Sequence, residues 1–338
     1  MPKMRAMVVP KAGAQLAAEE REVPEPGRHE VRIRVQACGV CHSDALTVYG
    51  HMPGLQYPRI PGHEVIGTLE AVGRDVDGWE PGTRVGVGWS PGACGYCEAC
   101  RHGNAFACQN FHGATGVSRD GGYATHMLAH VSALARVPAE LDSIEAAPLL
   151  CAGITTFNAL RHSGARPGEL VAIHGIGGLG HLGVQFAARL GFRVVAVSRG
   201  ADKEQLARSL GAHDYLDSDR GDPAAALQGM GGARAILATV TDGKALQSIA
   251  PGLGPNGTLL VIGAVGTIPV DTLDLLMKRA AVKGWYSGTS VDSEDTLRFS
   301  LLNKVASMNE VYPLEEAQAA FDRMMSGKAR FRVVLRMP

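Results

Sequence analysis

Residues 170–180 read Leu170-Val171-Ala172-Ile173-His174-Gly175-Ile176-Gly177-Gly178-Leu179-Gly180. A short apolar run enters a glycine cluster, and Leu179–Leu190 then has the apolar spacing of a helix. Gly175, Gly177 and Gly180 form G-x-G-x-x-G between strand and helix. In that setting one glycine makes the tight turn, one lets the backbone approach a pyrophosphate, and one lets helix and strand pack closely. The helix N-terminus meets the negative charge. Glycines placed for packing alone would not require three at this spacing. Gly175, Gly177, Gly178, Leu179 and Gly180 are therefore read as a dinucleotide-binding loop.

The alternation continues outward. Val194–Ser198, Ala235–Val240 and Thr258–Gly263 read as strands, and Lys203–Leu210 and Lys244–Ile249 as helices. Strands alternating with helices imply βαβ units and a parallel sheet. The second strand ends at Ser198-Arg199-Gly200, where a site for NAD usually carries a carboxylate for the ribose 2′-hydroxyl. A serine and an arginine suit a 2′-phosphate instead, so NADP(H) is expected over NAD(H). Asp202 is close enough in sequence to support some NAD binding.

Upstream the texture differs. Val31, Ile33, Val35 and Ala37 alternate with Arg32, Arg34, Gln36 and Cys38, the period of a half-buried strand. Val65–Leu69 and Arg84–Val87 are further short strands between turn signals at Asp77-Gly78 and Pro81-Gly82. Downstream, Asp295–Ala306 and Leu314–Ser326 read as helices and Phe331–Leu335 as a terminal strand. At 338 residues and about 150 residues per domain, two domains are expected. Lys plus Arg and Asp plus Glu stand at 33 each, which gives no overall attraction to nucleic acid or an anionic membrane. The most apolar stretch, Leu170–Ser198, is interrupted by His174, His181, Gln185, Arg189 and Arg193, so no membrane span is expected. The N-terminus lacks the apolar core of a signal peptide, and a cytoplasmic location follows as the expectation. There, clustered cysteines are metal ligands more often than disulfides.

Four of the seven cysteines lie in one stretch, Cys94-x2-Cys97-x2-Cys100-x7-Cys108. Four thiolates close a tetrahedral zinc site, and they also hold iron–sulfur clusters; a position within a β-rich domain favours zinc. Just one arginine, Arg101, and no lysine accompany them, against a nucleic-acid-binding zinc ribbon. His102 and His112 are read as surface residues. Cys41, His63 and Cys151 are dispersed, and each alone could be an ordinary core residue. Together they would supply two thiolates and an imidazole, the set of a catalytic zinc with one open position. Cys38 remains as a buried strand residue.

The segments Cys38-Gly39-Val40-Cys41-His42-Ser43-Asp44, Gly62-His63-Glu64, Cys94–Cys108, Leu150-Cys151-Ala152-Gly153-Ile154-Thr155 and Gly175–Gly180 resemble, in order and spacing, the zinc-dependent medium-chain alcohol dehydrogenases, in particular the shorter microbial members. The resemblance implies an α/β chain. Its GroES-like, β-rich catalytic domain would span residues 1–151 with 288–338, and a Rossmann parallel-sheet domain would be inserted over 152–287. It implies two zinc ions per subunit. Cys41, His63 and Cys151 would hold the catalytic ion, with Glu64 adjoining it and able to ligate transiently. Cys94, Cys97, Cys100 and Cys108 would hold the structural one. Asp44 would orient His63, Ser43 would hydrogen-bond the substrate oxygen, His42 would contact the cofactor or relay protons, and Thr155 would pack against the nicotinamide. Trp89, Trp285 and Tyr286 are candidates for substrate-pocket walls. The implied activity is hydride transfer between NADP(H), alternatively NAD(H), and a primary or aryl alcohol or aldehyde. A homo-oligomer, a tetramer before a dimer, is also implied. One departure stands out. Many members carry a relay histidine three residues after the hydroxyl residue, and this chain has Leu46 there; His51 has a different spacing. A dinucleotide-binding sensor without chemistry would not need the open zinc set, and a zinc-free reductase would not need Cys41, His63 and Cys151.

Overall fold

The computed structural model describes residues 2–111, 113–264 and 266–338. The chain divides into two compact units, Met1–Ile154 with Ser287–Pro338, and Thr155–Tyr286. It passes from the first to the second within helix Ala152–Arg161.

The second unit is built on six parallel strands. Side by side they run Asp214–Asp217, Arg193–Ser198, Leu170–His174, Ala233–Ala238, Leu253–Val261 and Ala281–Gly284. In chain order that is 3-2-1-4-5-6, the doubly wound dinucleotide-binding arrangement. Every residue of Leu170–His174 is buried, as expected of a strand covered on both faces. On one face Leu170, Ala172, Val195, Val197, Ile236 and Ala238 pack with Leu227, Leu246 and Ile249 of the helices Pro223–Gly229 and Gly243–Ile249. The two outermost strands do not show in the hydrophobic pattern. Asp214–Asp217 is only half-buried and Ala281–Gly284 is exposed throughout, so neither edge needs a continuous apolar run.

Among the described residues, the strands of the first unit pair antiparallel except Asn309–Pro313 with Arg332–Arg336. Its main sheet runs Asn309–Pro313, Arg332–Arg336, Glu30–Val40, Val65–Val72, Arg84–Val87 and Leu134–Arg136, with His126–His130 paired to Glu30–Val40. The two strands after Ser287 thus complete the sheet begun by the first part of the chain. Val31, Ile33, Val35 and Ala37 face its core as their alternation requires, and Arg34 is exposed. The alternation fails at Cys38, which is fully buried where the strand nears its end against Val65. Among the described residues, no single helix is long and apolar enough to cross a membrane.

One helix begins earlier than its apolar spacing indicates. It covers Ser290–Asn303 rather than Asp295–Ala306. Thr289 and Asp292 form a capping box: the Asp292 amide donates to Thr289 Oγ1 at 3.3 Å, and the Thr289 amide to Asp292 Oδ2 at 2.8 Å. At the other end Lys304 takes a left-handed conformation, φ 55°, which closes the helix before Ala306. Caps of this kind contribute about 1 kcal/mol. Thr289→Ala should lower the guanidinium midpoint by an amount equivalent to about 1 kcal/mol, whereas Thr289→Ser should leave it near the parent value. Equal midpoints for all three proteins would show the cap to be idle.

Candidate active site

Cys41 ends the strand Glu30–Val40 and caps the short turn His42–Asp44. Its amide donates to Asp44 Oδ2 at 2.9 Å. His63 and Glu64 lie immediately before the strand Val65–Val72, and antiparallel pairing up to Cys38–Val65 brings them beside Cys41. Gly62 makes the turn into this strand with φ +99°, a backbone conformation that L side chains rarely adopt. Cys151 follows the turn Ala147–Leu150 at the start of helix Ala152–Arg161. Ligand atoms of Cys41, His63, Glu64 and Cys151 lie within 4.8 Å of one another.

His63 is fully buried. Its Nδ1 lies 3.0 Å from Asp44 Oδ1, and its Nε2 is buried without a hydrogen-bond partner. A carboxylate only accepts, so the proton belongs on Nδ1 and the Nε2 lone pair is left open. The Cys41 and Cys151 sulfurs are 3.7 Å apart. At a zinc–sulfur distance of about 2.3 Å, the edge of a regular tetrahedron is about 3.8 Å. Two thiols at this separation and an open imidazole nitrogen therefore fit a zinc ion. The thiols differ in acidity. The Cys151 hydrogen bond, against the effect of burial, holds Cys41 well below the ordinary thiol value with help from the Arg332 guanidinium. That same bond and burial push Cys151 well above it.

Behind these groups lies a buried ion pair that no local sequence pattern signals. Arg332 Nη2 donates to Glu64 Oε1, and both side chains are almost wholly buried. Burial pushes the Glu64 carboxyl up to about 8 against the pull of Arg332. Gly39 makes room for this carboxylate, since a Cβ there would lie 1.8 Å from Glu64 Oε2. Tyr123 likewise carries no local signal in the sequence. It is fully buried, and its hydroxyl donates to Asp44 Oδ2 at 2.8 Å. Both contacts span long sequence separations, 268 residues for Arg332–Glu64 and 79 for Tyr123–Asp44, so no local pattern announces them. Trp89 stands edge-on to the His63 ring, centroids 4.8 Å apart at 88°. Ser43 is half-buried in the turn, while His42 is exposed.

The four-cysteine stretch gathers in the same way. Cys94, Cys97, Cys100 and Cys108 also place their sulfurs within 4.8 Å of one another, with Cys94–Cys100 and Cys97–Cys108 each at 4.0 Å. The Cys97 amide and the Asn110 side chain donate to Cys94 Sγ at 3.3 and 3.2 Å, and the Cys94 amide to Cys108 Sγ at 3.3 Å. Although desolvation opposes it, hydrogen bonds from the Tyr96 and Cys97 amides, the Asn110 side chain and Cys108 bring Cys94 down to about 6. Four sulfurs with converging N–H donors suit a closed metal site. His102 is exposed; His112 lies outside the described residues. Cys38 is buried, and burial and Asp44 hold its thiol well above the ordinary value.

In the other unit the glycine loop has the geometry its spacing implies. Gly175 has φ +97°, and a Cβ on it would meet Thr239 Oγ1 at 2.8 Å. A Cβ on Gly180 would lie 1.8 Å from the Gly175 carbonyl oxygen, so only glycine lets the helix Gly180–Arg189 approach the strand this closely. Nothing lies within 4 Å of a Cβ on Gly177, where the backbone is open. Leu179 caps the helix. Ser198 is buried and Arg199 exposed. The linear sequence missed Asp217, Cα partner of Ser198, which accepts the Gly200 amide at 2.8 Å. A carboxylate thus stands beside a turn that reads as serine and arginine alone. Thr155 is buried at the start of this unit. Trp285 stacks on His162 at 4.7 Å and 15° with Lys283 Nζ over its ring at 4.4 Å, and Tyr286 is exposed.

Two family models match the chain, the alcohol dehydrogenase GroES-like domain over residues 27–139 and the zinc-binding dehydrogenase over 178–301. The alcohol dehydrogenase notN of Aspergillus sp. is 42% identical over 330 residues, 98% of this chain and 97% of that protein. Among solved structures, CAD from Helicobacter pylori complexed with NADP(H) matches with a TM-score of 0.86 at 26% identity, covering 99% and 98% of the two chains. Acetophenone reductase from Geotrichum candidum in complex with NAD matches with a TM-score of 0.87 at 26% identity and the same coverage. By sequence and fold together, the chain belongs to the zinc-type medium-chain alcohol dehydrogenase family of oxidoreductases.

Proposed function

We propose that the protein is a zinc-dependent alcohol dehydrogenase and aldehyde reductase that moves a hydride between NADP(H) and primary or aryl alcohols and aldehydes. The observation that carries this reading is the buried, unpartnered Nε2 of His63 gathered with two thiols 3.7 Å apart. Cys41, His63 and Cys151 would hold the catalytic zinc with Glu64 adjoining, and Cys94, Cys97, Cys100 and Cys108 a second, structural zinc. When bound, the catalytic ion supplies Lewis acidity that makes a hydroxyl oxygen easier to deprotonate and a carbonyl easier to reduce.

The remaining work falls to the chain's own residues. Asp44 holds the proton of His63 on Nδ1 and keeps Nε2 free. Ser43 is placed in the Cys41–Asp44 turn to accept the alcohol proton at Oγ, or return it to the product of aldehyde reduction. With Leu46 where a relay histidine would stand, the exposed His42 is the nearest imidazole in sequence to pass that proton to solvent. Trp89 supplies an apolar wall beside His63, which suits an aryl or other apolar substrate. The Gly175–Gly180 loop presents backbone amides to a pyrophosphate. Exposed Arg199 suits a 2′-phosphate; Asp217 accepts the Gly200 and Asp219 amides on Oδ1, and its Oδ2 lies 3.4 Å from Arg220 without a hydrogen bond.

Elemental analysis should give two zinc ions per chain. Cys41→Ala should retain one, lose benzaldehyde reduction altogether, and still bind the dinucleotide. Normal turnover in Cys41→Ala would overturn the ligand assignment, and a parent protein with one zinc and no turnover would favour a dinucleotide-binding protein without chemistry. Cofactor preference is tested separately. The parent kcat/KM should favour NADPH over NADH, and Arg199→Ala should reduce the NADPH value about tenfold while leaving NADH unaffected. A parent enzyme that prefers NADH would refute the role given to Ser198 and Arg199.

A further inference from the structure

We propose that Tyr123 is a positioning residue of the metal centre, fixing through Asp44 the orientation of His63. The inference rests on the reading that Cys41, His63 and Cys151 hold zinc. Three donors converge on Asp44: the Cys41 amide and the Tyr123 hydroxyl on Oδ2 at 2.9 and 2.8 Å, and His63 Nδ1 on Oδ1 at 3.0 Å. Asp44 and Tyr123 are both buried, at 2% and 0% exposure, so water does not replace a missing donor.

The tyrosine is held at both ends. Its amide donates to the Pro61 carbonyl at 3.0 Å, and its own carbonyl accepts the Met7 amide at 2.8 Å. Its ring lies on the bare backbone of Gly62, the residue before His63, where a Cβ would come within 2.4 Å of Cδ1. Tyr123 therefore bridges the backbone that delivers His63 and the carboxylate that orients it. A phenylalanine would fill the same space. Only the hydroxyl distinguishes the two, and a buried hydroxyl is unfavourable unless it is bonded. Its bond to Oδ2 holds the carboxylate plane so that Oδ1 stays on His63 Nδ1. That in turn keeps the Nε2 lone pair directed toward the thiols. Partners of a ligating histidine alter metal affinity about 10- to 100-fold, and a group one bond further out belongs at the low end.

The test compares zinc retained by the purified holoproteins after equilibration with rising concentrations of a chromogenic chelator. The zinc of the four-cysteine lobe serves as the internal reference. Tyr123→Phe should release one zinc at about tenfold lower chelator concentration, with the lobe zinc and the melting temperature near parent values. In an Asp44→Ala background the same substitution should produce no further shift, because its route of action has been removed. Unchanged release of both ions in Tyr123→Phe overturns the proposal. Equal weakening of both ions assigns the tyrosine to the fold and overturns it too. A parent protein that holds only the lobe zinc overturns the metal reading beneath it, an outcome separate from any effect at residue 123.

Discussion

His63 is buried with Nδ1 bonded to Asp44 and Nε2 bare, and much of the first unit follows from what that arrangement requires. An unpartnered polar atom in a protein interior costs roughly 1–3 kcal/mol. It persists only where surrounding structure over-determines it. Here the surroundings are a fully buried tyrosine, a turn capped by Cys41, and two strands joined at Cys38–Val65. Hydrogen bonds satisfy the imidazole on one side, and the two thiols meet it on the other. The site is pre-organised for a cation by the same contacts that close the sheet.

The glycine content reflects this crowding as much as it reflects turns. Gly39 leaves the space that the Glu64 carboxylate fills, and Gly62 leaves the space for the Tyr123 ring. In the second unit Gly180 leaves the space for the Gly175 carbonyl. Each absent Cβ leaves to a functional group or a backbone the space that a side chain would occupy. A substitution at these positions would displace the chemistry before it disturbed the core.

What the sequence made legible was local. The strand, glycine loop and helix of 170–190 fall within one turn-containing segment. The four thiols of 94–108 lie on one short stretch, and each announces its partners by spacing. The strand beginning at Val31 shows its buried face by alternation. The illegible parts are contacts that the topology makes. Arg332 reaches Glu64 because the last strand inserts beside Glu30–Val40, and Asp217 reaches the Ser198 turn across an edge strand with no apolar run. The early start of the helix at Ser290 was legible in principle, since Thr289 and Asp292 carry the capping-box spacing. There the apolar spacing of Asp295–Ala306 points to a later start than the cap does.

The Glu64–Arg332 pair is best understood through charge. Ion pairs buried this deeply seldom stabilise a fold more than apolar residues of the same size would, so stability alone does not account for one here. Its position does. Arg332 pulls the Glu64 carboxyl down against the effect of burial and helps hold Cys41 toward its thiolate form. Of the two thiols it is Cys41 that is held toward the thiolate, with Cys151 protonated as its hydrogen-bond partner. A neutral apolar pair in the same place would leave the thiols to ionise unaided in a low-dielectric interior, where a lone thiolate is strongly disfavoured. The guanidinium thus lets a buried cluster keep ligand character before any cation arrives. The return of the terminal strand to the first sheet is what sets Arg332 beside Glu64.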